Sequence, residues 1–263
     1  MQTGENRFGA NPSPGFRGGQ ESMTTDSRHL EPPKLDPLHG RRLSVYPLRL
    51  IAALTAASAL SVAALLVDIH ESGSSFYRFL VWNLVLAWIP VGAALACNAF
   101  ARSHAYVLAV AAGVIWLLFF PNAPYMLTDY IHIREFPLAS PLWWDVLMLS
   151  SFVWTSLMLG FFSLYQMQDV WRAHWGRVVS WLLAALALGF ASFGVYLGRF
   201  VRLNSWDALL HPRSVAHIIA SQLEDPVHQP RLVGVLGLLT AFMLIAYVVV
   251  CNFAAFQSRA ERG

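Results

Sequence analysis

The stretch "WLLFFPNAPYMLTDYIH", Trp116 to His132, closes an apolar run with two prolines, an asparagine, an aspartate and a histidine. Pro121 has no N–H and its ring opposes helical continuation, so it predicts the end of a helix. Asn122 then reads as an N-cap and Pro124 as a first-turn residue, which makes "YMLTDYIHI" a second short helix. Such a break would leave a fresh helix N-terminus at membrane depth, where unpaired N–H groups and positive dipole favour an anion. Asp129 and His132, three apart, would share a face of that helix. A tight interfacial turn with a capped helix is the plainer reading.

Composition explains why a membrane is invoked. Of 263 residues, 56% are apolar and only 13% are charged, about half the roughly 25% usual for a soluble domain. Six runs are long enough to approach or reach the roughly 20 helical residues that span a hydrocarbon core. They are Leu48–Val67, Phe79–Cys97, Ala105–Phe120, Leu142–Tyr165, Val178–Leu197 and Leu232–Phe253. The fold class is therefore all-α, a polytopic transmembrane bundle of about six spans. Residues 1–47 are rich in Gly, Pro, Ser, Asn and charge, and predict a disordered cytoplasmic tail. The membrane domain covers 48–256, and 257–263 form a short cytoplasmic C-terminus. No signal peptide is expected. Either Met1 or Met23 could be the start.

The pI of about 9.1 comes almost wholly from arginine, and no basic block could track a phosphate backbone, so nucleic acid is not an expected partner. With the N-terminus inside, nine basic residues flank the inner span ends and six the outer, which places both termini in the cytoplasm of a bacterial inner membrane. Four of the six outer arginines lie in one loop. Carboxylates favour the outer side, and three of them, Asp129, Asp145 and Asp207, sit beside aromatic or apolar neighbours at span ends. An unpaired charge there is costly. These three, with His132, are the candidate catalytic groups.

A second constellation is "GVYLGRFVRLNSWD", Gly194 to Asp207. Arg199 and Arg202 leave the fifth span on one face, and Asn204, Ser205 and Asp207 form a turn cluster around Trp206. Snorkelling anchors are one reading; ion pairing to Asp129, Asp145 or Asp207, or capture of an anionic head group, is the other. The candidate ligand-binding set is Asn122, Tyr125, Arg199, Arg202, Asn204 and Trp206. "RSVAHIIASQLEDP", Arg213 to Pro226, is too short to span and predicts a helix lying in the outer interface. "DIHES" at Asp68–Ser72 could add His70 to a metal set, but no ligand-bearing spacing supports it, so metal is not expected. No cofactor fingerprint is present either.

"FFPNAPYMLTDYIHI", "WWDVLMLSS" with "GFFSLYQ", and "YLGRFVRLNSWD", in that order between apolar spans, resemble the bacterial integral membrane family catalogued as domain of unknown function 1361. The likeness runs from about Leu48 to Phe253. It implies a multi-span membrane protein and carries no established activity. Beyond the lipid bilayer itself, three function classes follow. The outward polar site could bind an anionic lipid or solute head group. It could serve a hydrolase or transferase through carboxylate and histidine acid–base chemistry. Or it could be the internal brace of a structural or assembly subunit.

Overall fold

A computed structural model describes residues 37–134, 141–201, 213, 217 and 230–260. The chain divides into two units, Met1–Ser44 and Val45–Gly263. Of the first, only residues 37–44 are described, and they are helical. The expected disordered tail otherwise lies outside the described residues. So does most of the expected interfacial helix, of which only Arg213 and His217 are described, both helical.

In lipid every backbone N–H and C=O must be satisfied within the segment, and the apolar runs accordingly fold as helices. They are α1 (Pro37–Ser72), α2 (Phe79–Arg102), α3 (Tyr106–Phe119), α4 (Asn122–Tyr125), α5 (Leu142–Tyr196) and α6 (Pro230–Ala260). A 3₁₀ turn, Phe76–Arg78, leads into α2, and a longer 3₁₀ segment, Met126–Arg134, follows α4. Five helical stretches among the described residues are long and apolar enough to cross a membrane: Leu48–Ser72, Phe76–Arg102, Tyr106–Ile133, Leu142–Val201 and Leu232–Phe253.

The fourth stretch cannot be a single crossing. Its 60 residues would reach about 90 Å if straight, against a core of about 30 Å. The backbone breaks at Gly176, where φ is 81° and ψ 179°, a region essentially restricted to glycine that costs a residue with a Cβ about 1–3 kcal/mol. The two arms fold back on each other around this point. A Cβ built on Gly160 would lie 2.8 Å from Ala123, and one on Gly194 2.6 Å from Pro121. Residues 160 and 194 would stand about 51 Å apart on a straight helix, so contact with neighbours 121 and 123 requires an antiparallel hairpin. Counting the arms 142–175 and 177–196 separately, the described residues hold six arms of crossing length.

Burial ranks the helices. In α2 and in the stretch containing α5, 39% of the apolar window is buried, against 17% for α1 and 11% for the last stretch. The core is therefore α2 and α5, with Leu80, Leu84, Ala87, Phe152, Leu159 and Leu188 at its centre. Trp116 and Phe120 of the third crossing stack at 4.7 Å in the same core. Small residues let the backbones approach closely enough for dispersion to hold them, since lipid supplies no hydrophobic drive between helices.

Candidate functional site

Pro121 does not break the third crossing. Phe120, Pro121 and Met126 all keep helical dihedrals, and the chain tightens instead from α-helix into 3₁₀. Ala123 N–H donates to the Phe120 carbonyl at 3.2 Å, and Tyr125 N–H to that of Pro121 at 3.1 Å. The N-cap assignment of Asn122 is corrected accordingly. Pro121 precedes α4, no side chain caps it, and the Asn122 amide donates backward to the Phe119 carbonyl at 2.9 Å. A carbonyl that tightening leaves over is covered by a side chain three positions past the α3 C-terminus. With the helical path unbroken and α4 only four residues long, the expected anion-binding helix start is absent.

The 3₁₀ segment has its own consequence. Side chains at i and i+3 eclipse in this geometry, and runs beyond three or four residues are uncommon without outside support. Nine residues run here, Met126–Arg134. Met126, Asp129 and His132 form one row, and Tyr125, Thr128 and Ile131 the next. Support comes from the second arm of α5, which ends in a π-turn, Leu197–Val201. Arg199 lies at the middle of this wider turn.

Arg199 lies across both rows. Its Nε donates to Thr128 Oγ1 at 2.8 Å, its Nη1 to His132 Nε2 at 3.1 Å, and its Nη2 to Asp129 Oδ1. Its guanidinium carbon stands 4.8 Å from the Tyr125 ring centroid, in range for a cation–π contact. The Thr128 hydroxyl spends its one proton on the Tyr125 carbonyl at 2.7 Å, leaving a lone pair for Nε. Because a guanidinium only donates, His132 Nε2 must accept, and the ring proton resides on Nδ1. Asp129 is 1% exposed, and its other oxygen accepts from Asn83 Nδ2 at 3.1 Å. The His132 ring meets Phe76 and Phe79 edge-on at 6.0 and 5.2 Å. Three chain segments, the start of α2, the 3₁₀ run and the end of the second arm, are closed on one another.

The sequence-predicted residues separate at this point. Tyr125, Asp129, His132 and Arg199 converge, Asn122 bonds locally to the Phe119 carbonyl, and Arg202, Asn204, Trp206 and Asp207 lie outside the described residues. Asp145 belongs to a different cluster. It opens α5 at 2% exposure, in electrostatic range of Asp68 at the end of α1 (3% exposed) and of Tyr77. Asp145 Oδ1 and the neighbouring Trp144 Nε1 are both covered and find no hydrogen-bond partner among the described residues. Sequence reasoning gave Tyr77 and Trp144 no site role; tyrosine and tryptophan at a span end read as ordinary interfacial aromatics. Asn83, whose partner is 46 positions away, was visible only as one amide in an apolar run. No set of three or more metal-ligating side chains occurs among the described residues.

A family model described as a protein of unknown function, DUF1361, matches residues 82–248. The chain belongs to the DUF1361 family. The matched region holds both arms of α5, the 3₁₀ run and Arg199, and Asn83 marks its start. It leaves out α1, with Asp68, and Tyr77. No curated protein and no solved structure matches the chain.

Proposed function

We propose that this DUF1361 protein is a structural or assembly subunit of a bacterial inner membrane, with both termini cytoplasmic, and that its Asp129–Arg199 cluster braces the outward face. One observation carries the reading: every nitrogen of the Arg199 guanidinium, and both oxygens of Asp129, already have a partner within the chain. An anionic head group would have to displace Asp129 from Arg199 and leave that carboxylate buried beside Asn83. Acid–base chemistry would need His132 Nε2, which is occupied by Arg199.

Thermal unfolding of the purified protein with and without anionic lipid or phosphate tests this. A brace predicts a large loss of stability in Arg199→Gln and no anion-dependent rise in the wild type. An anion-dependent rise that vanishes in Arg199→Gln would instead make the cluster a head-group site, because binding to the folded state must raise its stability.

A further inference from the structure

The brace joins two stretches that both depart from α-helical geometry. Met126–Arg134 is a nine-residue 3₁₀ run, well beyond the roughly four residues usual for a helix whose side chains eclipse and whose hydrogen bonds are poorer. Arg199 lies in the π-turn Leu197–Val201, and turns of that width are rare and cluster at functional sites. Nothing in "MLTDYIHIR" forbids an α-helix. The segment has no glycine or proline, and it follows directly on the α-helical Asn122–Tyr125, so the costly first turn is already formed.

The three rows of the run differ in what they demand. Leu127, Tyr130 and Ile133 are partly buried against the core. In an α-helix these three would fan over about 120°, an ordinary width for an apolar face, so their packing suits either form. The polar bonds do not. Counted from Met126, going from about 120° to about 100° per residue turns Asp129 by about 60° and Tyr130 by about 80°. Asp129 would turn away from Asn83 and Arg199. Tyr130 would leave Ser150 Oγ, to which its hydroxyl donates at 2.8 Å, the Ser150 proton being spent on the Val146 carbonyl at 2.6 Å. Arg199 bonds two rows at once, Thr128 in one and Asp129 with His132 in the other.

We propose that the cluster is a catch as well as a brace: Met126–Arg134 is a two-state segment, 3₁₀ while Arg199 grips it and α-helical once the grip is released. Release shortens the run by about 4 Å and turns its outer end by about 160°, which displaces the point where the chain leaves the third crossing. Packed cores switch between discrete arrangements of this kind and do not deform smoothly. The catch rests on the brace reading, but it is read from the backbone and not from stability.

The test is nuclear magnetic resonance of the full chain in detergent micelles, following contacts between α and amide protons along Met126–Arg134. Contacts from residue i to i+2 mark the 3₁₀ form and contacts from i to i+4 the α form, because the first has about three residues per turn and the second about 3.6. The wild type is expected to show i to i+2 contacts along the run. Arg199→Lys keeps a positive charge beside Asp129 but loses the fork that spans two rows, so at least half of that signal should give way to i to i+4 contacts. Tyr130→Phe removes only the bond to Ser150 and should shift the balance the same way by less. Thr128→Val combined with Tyr130→Phe repeats the test where Arg199→Lys does not fold. A run that stays 3₁₀ in every variant has no catch, and one that loses both sets of contacts has no second state; either result overturns the proposal. A run unchanged in these variants beside a large stability loss in Arg199→Gln would leave the brace standing without the catch.

Discussion

Asp129 and Asp145 are both almost fully buried carboxylates at the same end of the helix bundle, yet their surroundings are opposites. Asp129 accepts from Arg199 and Asn83 on its two oxygens, and every nitrogen of the Arg199 guanidinium has a partner. Asp145 faces another acid and keeps an oxygen with no partner among the described residues. Burying a charge is expensive unless it is paired and hydrogen-bonded. The first site meets that requirement internally and therefore has stability to lose. The second leaves it open.

The comparison breaks most visibly at Arg199. Arg199→Gln strands the Asp129 charge in the core and is expected to cost about 3–5 kcal/mol, read as a large fall in melting temperature in detergent. Next in size, Gly194→Ala pushes a methyl group into Pro121 and should cost about 1–3 kcal/mol, with an unfolding curve to measure it. Gly160→Ala is the matching test against Ala123. Gly176→Ala forces a Cβ residue to a positive φ at the hairpin turn and should cost about 1–3 kcal/mol. The smallest effect sharpens the contrast: Asp145→Asn in lipid-free detergent removes an unsatisfied charge and should leave the melting temperature unchanged or slightly raised. A loss there as large as that of Arg199→Gln would erase the distinction between the two clusters.

Much of this was legible in the chain. Apolar run lengths announce six crossings, but the helix runs on past Tyr165, where the fourth run was expected to end, and the kink at Gly176 was not singled out. That the PNAPY–TD and GR segments meet was also an expectation, and Arg199 bonding Thr128, Asp129 and His132 joins them directly. The α-helix does end just before Pro121, at Phe119; the Asn122 cap and the fresh helix start expected after it were not sound inferences. Proline removes one N–H, and here Ala123, Tyr125 and the Asn122 side chain pick up the neighbouring carbonyls, so the chain tightens and continues. Which carboxylate would meet Arg199 was equally hidden. Arg199 lies in the π-turn Leu197–Val201, and nothing in "LGRFV" distinguishes a turn of that width from ordinary α-helix.

A double-mutant cycle on Asp129→Asn and Arg199→Gln, followed by thermal or denaturant unfolding of the purified protein, tests the brace most directly. The closed network predicts strong coupling, with the double variant more stable than the sum of the single losses allows, because the second change removes the charge that the first one stranded. Additive losses, or single variants that unfold like the wild type, would contradict it.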